Sequence, residues 1–203
     1  NPLRHLTKLT SLVLHTNWIS DIEPLSELVN LERLIISENP ISDISPLAGL
    51  TKLRQLHVHG LYPNQLNYWL AMNDGRNPNV VFNGITDISP LASLTEMRLL
   101  RIHLNAIEDI SSLANLTKLI HLRLYDNQIE DISALAGLNE LVLLWAHGNQ
   151  IEDISALSGM SEMQQLSLDD NAISDISALA GMTRMKELFL TNNSIEDIAP
   201  LRR

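Results

Sequence analysis

Leucine and isoleucine recur along this chain with a period of 22 residues. After a partial unit at residues 1–5, nine windows of 22 residues cover residues 6–203 without an insertion or a deletion. In eight of the nine windows, position 12 is Asn, position 14 is Ile and position 16 is Asp, which gives the pattern L-x-x-L-x-x-L-x-L-x-x-N-x-I-x-D-I-x-x-L-x-x. A unit this short cannot bury its own apolar face, so the repeat predicts a single domain of stacked units over residues 1–203.

Each window predicts a short strand, a bend and a helical turn. In the L-x-L piece, inward apolar positions alternate with outward positions, as in a strand, so Leu122 and Leu124 are predicted to point inward. The side chains of stacked Asn residues are expected to bond to the backbone groups that the bend frees. The D-I-S-x-L piece predicts a turn with Asp as its N-cap, and prolines such as Pro24 and Pro46 fit the early turn because no N–H is needed there.

These columns resemble those of the leucine-rich repeat, and the N-x-I-x-D-I-x-x-L ending is similar to the 22-residue repeats of bacterial internalin-type proteins. The resemblance covers essentially the whole chain. It implies an α/β solenoid, a right-handed horseshoe with a concave parallel sheet and short helical or 3-10 turns on the convex side. It also implies a bacterial surface or secreted protein that adheres to a partner protein.

One stretch, residues 60–82, breaks the pattern. It lacks the Asn, Ile and Asp columns, and Leu61 stands in the Asn column, where we expect it to interrupt the Asn ladder. Two interpretations stay open. The stretch is either a degenerate repeat with a longer convex helix or a protruding contact element that presents Tyr62, Tyr68 and Trp69.

Neither end of the sequence carries a polar capping unit. Solenoids need such units to cover the last layer of the core. We therefore expect a piece of a larger protein, or ends that contact flanking domains, partners or further copies end to end. Internalin-type proteins, by the resemblance, carry a helical cap before the repeats and an immunoglobulin-like domain after them.

Composition removes several classes of function. With 24 acidic and 14 basic residues, the chain has a formal net charge of −10, which is unfavourable for binding nucleic acid. It has no cysteine, which excludes disulfides, thiolate zinc sites and cysteine nucleophiles. No apolar run reaches the roughly 18 residues of a membrane span, so no membrane insertion is expected.

The sequence carries no signature of an enzyme. It contains no glycine-rich phosphate loop and no H-E-x-x-H motif, and no serine–histidine–aspartate arrangement is implied, so we predict no catalytic residue and no cofactor. His57 and His59 share one strand face as a zinc pair would, but the pattern fixes no third ligand beside them. The acidic residues lack the alternating carboxylates of a calcium loop. No metal site is predicted.

The concave face is the predicted binding surface. Six of the seven histidines fall at outward strand positions, where the scaffold does not require them. Arg101, Arg123 and Trp145 occupy one position of successive windows and should form a row, because neighbouring strands lie about 4.8 Å apart. Arg, Tyr and Trp are also enriched in binding hot spots. The predicted partner-binding residues are Arg101, His103, His121, Arg123, Tyr125, Trp145, His147, His57 and His59.

Charge varies along this face. Its centre is aromatic and basic, whereas Asp169, Asp170 and Glu187 make one end acidic. Unperturbed histidine titrates near pH 6.5, so binding through the face is expected to change between about pH 7.5 and pH 5.5.

These observations favour a non-catalytic module that recognises a partner protein at an extracellular or bacterial surface location. A second interpretation is a cytoplasmic regulatory or scaffold subunit, because the leucine-rich-repeat regulator of protein phosphatase 1 also uses a 22-residue repeat. Its repeats favour I-x-x-I-E-x-L, whereas D-I-S-x-L prevails here. A third is a structural protein whose ends stack into assemblies.

Overall fold

The computed structural model describes residues 5–61 and 84–202, and each coil in these ranges is a strand, a bend and a 3-10 turn. The eight strands are β1 Ser11–Val13, β2 Arg33–Ile35, β3 Gln55–His57, β4 Leu99–Arg101, β5 His121–Arg123, β6 Leu143–Trp145, β7 Gln165–Ser167 and β8 Glu187–Phe189. The 3-10 turns are Glu23–Leu25, Ser45–Leu47, Ser89–Ser93, Ser111–Leu113, Ser133–Leu135, Ser155–Leu157, Ser177–Leu179 and Ala199–Leu201. Within the described ranges there is no α-helix.

The eight strands form one parallel sheet in the order in which they occur in the chain. Equivalent positions of neighbouring coils pair, as Leu122 pairs with Leu144. The inward side chains form one continuous core, in which Leu122 and Leu124 are fully buried. The predicted solenoid, with its parallel sheet and short turns, is confirmed.

β3 and β4 are neighbours in the sheet although the irregular stretch lies between them in the chain. They pair directly, with Gln55 opposite Leu99, a separation of 44 residues or two periods of the repeat. One coil is therefore composite: it begins with β3, runs to Leu61, and continues at Gly84 towards the turn Ser89–Ser93. The repeat resumes in phase because residues 62–83 are themselves 22 in number.

Both interpretations of residues 60–82 stay predictions. Tyr62, Tyr68 and Trp69 lie outside the described residues, as do most of the stretch and most of the partial unit at residues 1–5.

The Asn ladder forms as predicted. Nδ2 of Asn127 donates to the carbonyls of Leu124 and Tyr125 in its own coil, and to that of Ile102 in the preceding coil. Its Oδ1 accepts the N–H of Ile107 at 3.1 Å. One side chain thus satisfies four backbone groups that the bend removes from the sheet. In four other coils the Asn Oδ1 likewise accepts a backbone N–H from the preceding coil. The donors are Ile19, Ile129, Ile151 and Ile173.

The ladder changes at the composite coil. Leu61 is buried at position 12 and has no polar side-chain atom. The N–H of Ile41, which faces this position, bonds to the carbonyl of Asn39 at 2.8 Å. Beyond it, Nδ2 of Asn105 reaches across to the carbonyl of Val58 at 3.2 Å, and the regular ladder continues.

The predicted N-cap is wrong by one residue. The turn Ser133–Leu135 has Ile132 as its N-cap, and Asp131 stands just before it. Oδ1 of Asp131 accepts the N–H of Ser133 at 2.7 Å, and Oδ2 accepts the Ser133 hydroxyl at 3.0 Å. A carboxylate that bonds two residues onward makes an Asx turn, which holds the chain in place as the 3-10 turn begins.

The bends after β4, β5 and β6 use a left-handed backbone. Position 11 has φ 55° at Leu104, 53° at Asp126 and 63° at Gly148. Side chains other than glycine rarely adopt this conformation, and Asp and Asn tolerate it best. The rest of the coil must therefore hold position 11 in the left-handed conformation. The hydrogen bonds of the adjacent Asn at position 12 do this.

Candidate interaction site on the concave face

The predicted row of side chains is present at the centre of the sheet. The register of β4, β5 and β6 sets Arg101 opposite Arg123 and Arg123 opposite Trp145. The guanidinium carbon of Arg123 lies 4.0 Å from the centre of the Trp145 ring, which is a cation–π contact. All three side chains are partly exposed, and His121 is exposed at the start of β5.

The two arginines of this row have no carboxylate partner among the described residues. The ion pairs in that part of the chain are Arg54–Glu32, Lys118–Glu96 and Arg184–Glu162. Burial, and after it the charge of Arg123, lowers the pKa of Arg101. Like charges directly opposite in a sheet repel each other, so the row is a local positive site in an acidic chain.

A ladder of four rings runs beside the row. The ring centres are 4.0 Å apart for His59 and His103, 4.1 Å for His103 and Tyr125, and 4.4 Å for Tyr125 and His147. The planes are within 17°, 21° and 11° of parallel. Since parallel strands lie about 4.8 Å apart, rings at equivalent positions stack face to face with little tilt.

Three of the residues predicted from the sequence to bind a partner are buried. The exposed fractions are 3% for His103, 5% for Tyr125 and 7% for His57. These three side chains form the floor of the concave face. The predicted residues that reach the solvent are Arg101, Arg123, Trp145, His59, His121 and His147.

Burial also changes the chemistry of the histidines. It lowers the pKa of His103 to about 2 and that of His57 to about 3, and nearby positive charges act in the same direction. Burial likewise lowers the pKa of His59 and His121. The imidazoles of His57 and His103 therefore stay neutral from about pH 7.5 to 5.5, so the sequence-based expectation of titration in that range is wrong for these two.

The stack continues into a hydrogen-bonded chain at the acidic end. Nδ1 of His147 lies 2.9 Å from the Ser167 hydroxyl, which donates to Oδ2 of Asp169 at 2.9 Å. Because the Ser167 proton is used on Asp169, Nδ1 of His147 is the donor to Ser167. Burial raises the pKa of Asp169, but bonds from the Thr191 N–H and from Ser167 outweigh it and bring the pKa below its usual value.

That direction of donation is unsuited to nucleophilic catalysis. An activated serine donates its proton to the histidine, whereas Ser167 accepts from His147 and donates to a carboxylate. The sequence places Ser167 and Asp169 on the concave face but does not predict this chain of bonds. Its only signal is the polar run at successive outward positions of β7.

Each histidine of the His57–His59 pair has one ring nitrogen engaged within the fold. The amide of Gln55 donates to Nε2 of His57 at 3.0 Å, and Nδ1 of His59 donates to the carbonyl of Gly60 at 3.1 Å. Within residues 5–61 and 84–202, no group of three His, Cys, Asp or Glu side chains is placed to hold a metal ion. In the same ranges, no helix has the length and apolarity to cross a membrane.

Comparison with known families identifies the repeat. The family model described as Leucine Rich repeats (2 copies) matches residues 29–67, 117–159 and 161–203, which is more than half of the chain. A search of curated protein sequences gave no match.

Solved structures with this fold come from bacteria and plants. Internalin C2 of Listeria monocytogenes is 34% identical, with a TM-score of 0.82 over 98% of this chain and 78% of that one. The internalin InlF of the same organism is 37% identical, with a TM-score of 0.75 over 98% of this chain and 58% of that one. The ectodomain of the Arabidopsis thaliana receptor kinase GASSHO1/SCHENGEN3 is 23% identical (TM-score 0.69, 95% and 22% covered) and shows the fold alone.

Proposed function

This chain belongs to the leucine-rich-repeat family and is internalin-like, and on that premise we propose that it binds a partner protein through the concave face without catalysing a reaction. The observation that carries the proposal is the row Arg101, Arg123 and Trp145. These side chains are partly exposed and adjacent, and the scaffold does not need them. Arg and Trp are the residue types that dominate binding energy at protein interfaces.

The ring stack beside the row supports the same function. Because its rings pack face to face, the stack limits the movement of the neighbouring row, which therefore loses little conformational entropy on binding. The open surface also suits a macromolecule better than a small substrate, which needs a concave, enclosing pocket. The plant ectodomain of this fold was solved in complex with CASPARIAN STRIP INTEGRITY FACTOR 2.

The setting of the proposed function is a bacterial surface or the extracellular space, where the protein acts as an adhesin. Two observations support it: the 34% and 37% identity to Listeria internalins, and the D-I-S-x-L turns that the repeats carry.

An affinity pull-down with paired variants tests the function. The baits are the wild type and a concave variant that combines Arg101→Ala, Arg123→Ala and Trp145→Ala, against cell-surface and cytosolic extracts. We expect a cell-surface protein that the wild type retains and the concave variant loses.

A matched control carries Arg54→Ala, Arg98→Ala and Trp18→Ala, which remove the same side-chain types away from the row. Circular dichroism must show that both variants are folded. Retention of the same partners by the concave variant, or their equal loss from the control, contradicts recognition through the concave face. A partner found only in the cytosolic extract contradicts the adhesin setting.

A further inference from the structure

Arg101 and Arg123 are two positive charges that the described part of the chain leaves without a counter-ion. They pair in register on neighbouring strands, so their side chains leave the sheet side by side. The side chains that flank them on the neighbouring strands are His57, which burial keeps neutral, and Trp145. Neither supplies the negative charge that would offset the repulsion between the two guanidinium groups.

The arrangement is also partly desolvated. Arg101 and Arg123 are only partly exposed, and Arg123 is fixed over the Trp145 ring at 4.0 Å. A guanidinium that is held in place and shielded from water binds a carboxylate more strongly than a freely solvated one, and it does so with a planar, two-pronged geometry.

We propose that the Arg101–Arg123 pair binds a carboxylate of an acidic, extended segment of the partner protein, while Trp145 packs against an apolar part of the same segment. This inference rests on the proposed function and names the chemistry of the partner. Charge complementarity carries it, because a carboxylate between the two guanidinium groups removes a repulsion that the free protein retains.

The surroundings of the pair favour a polypeptide over other anions. Leu99, which is partly exposed at the first position of β4, and Trp145 offer apolar contact that an inorganic anion cannot use. The net charge of −10 opposes a long polyanion such as nucleic acid. Asp169 and Asp170 further limit how far an acidic segment extends towards β8.

Binding of an oligo-glutamate peptide to the intact chain tests the inference. A peptide of about six residues crosses β3 to β7, at roughly 3.4 Å per residue and 4.8 Å per strand. Its dissociation constant is measured by fluorescence anisotropy beside an oligo-glutamine peptide of equal length. We expect glutamate to bind at least about tenfold more tightly than glutamine, and the preference to shrink as salt is raised from about 0.05 M to 0.5 M.

Two double variants locate the binding. Arg101→Gln with Arg123→Gln should lose the glutamate preference, whereas Arg54→Gln with Arg98→Gln, which changes net charge equally, should keep it. Equal affinity for the two peptides, no measurable binding, or equal losses in the two variants would overturn the inference. Displacement by inorganic phosphate at equal concentration would also overturn it, because the pair would then favour phosphate over carboxylate.

This inference and the proposed function fail in different ways. If the concave variant loses its cellular partner while the wild type ignores oligo-glutamate, recognition through the face stands and the acidic segment is wrong. If oligo-glutamate binds at the arginine pair while the concave variant keeps every cellular partner, the anion site stands and the proposed function is wrong.

Discussion

The centre of the concave face and its C-terminal end use the same strand positions and fill them with opposite chemistry. At the centre, His103 and Tyr125 stack at 4.1 Å and are almost fully buried. At the end, Asp169 occupies the equivalent position, stays partly exposed and accepts bonds from Ser167 and Thr191. The coil beneath is the same in both regions, with the same Asn ladder and the same core columns.

This difference separates what the repeat requires from what the face carries. The coil demands an inward Leu, an Asn at the bend and an Asp before the turn. It leaves the outward positions free, so one scaffold holds a desolvated stack of rings and a hydrogen-bonded carboxylate a few strands apart. Stability in the first region depends on packing, and in the second on polar bonds.

The largest expected loss of stability comes from a substitution in the middle of the ring stack. Tyr125→Ala opens a cavity between His103 and His147 and should cost about 3 kcal/mol, as truncation of a buried aromatic side chain does. Asp169→Ala removes polar bonds near the surface and should cost about 1 kcal/mol. Guanidinium denaturation followed by circular dichroism measures both.

Tyr125→Phe is the control for that comparison. It keeps the stacked ring and should stay within about 1 kcal/mol of the wild type. An Asp169→Ala loss as large as that of Tyr125→Ala would show that the two regions do not differ in the way described.

Acid should weaken the centre before the end. The pKa of His103 and His57 is lowered in the folded chain, so the unfolded chain binds more protons below about pH 6.5 and stability falls as pH decreases. The loss should reach about 1 kcal/mol per histidine by about pH 5.5. The pKa of Asp169 is lowered as well, so its contribution is lost only at lower pH, as pH falls through its folded pKa.

Denaturation midpoints at several pH values check this order. His103→Phe keeps a ring in the stack and should flatten the slope between about pH 6.5 and pH 4.5. Asp169→Asn should leave that slope unchanged. A wild-type chain with constant stability across this range would contradict the neutral, buried state of these histidines.

The smallest expected effect lies at the boundary between the two regions. Gly148 has φ 63°, and an added Cβ would lie 2.4 Å from Oδ1 of Asp126. Gly148→Ala should cost about 1 kcal/mol from backbone strain, plus the displacement of the Asp126 side chain. Gly159, with φ 85° and no atom within 4 Å of an added Cβ, gives a control for strain alone. Equal losses from Gly148→Ala and Gly159→Ala in thermal unfolding would show that Asp126 moves at no cost.

Much of the fold was predictable because the coil repeats its own constraints. Each Leu, Asn and Asp column has one structural role. Because each role recurs in eight windows, the sequence predicts the strand, the bend and the turn. The order of Arg101, Arg123 and Trp145 along the sheet followed from the same register. The N-cap was misplaced by one residue because an Asx turn and an N-cap share the same sequence preference.

The stack of rings could not be predicted from the repeat pattern. In the nine-window register Val81 separates His59 from His103, yet the two rings lie 4.0 Å apart because β3 pairs directly with β4. A period of 22 residues cannot distinguish nine repeats from eight with an interruption of equal length. The burial of Tyr125 was also not predicted. An outward side chain is exposed only where its neighbours are too small to cover it, and the repeat leaves those outward neighbours free.

The direct pairing of β3 with β4 has a consequence for the order in which the chain folds. Every other neighbouring pair closes one period of chain, whereas this pair closes two. Closure entropy costs about 0.6 kcal/mol more for each doubling of the loop. In a linear array that folds by adding neighbouring coils one at a time, the pairing of β3 with β4 is the slowest step. Strands β1–β3 and β4–β8 are then expected to form first as separate segments, and the row Arg101, Arg123 and Trp145 lies entirely within the larger one.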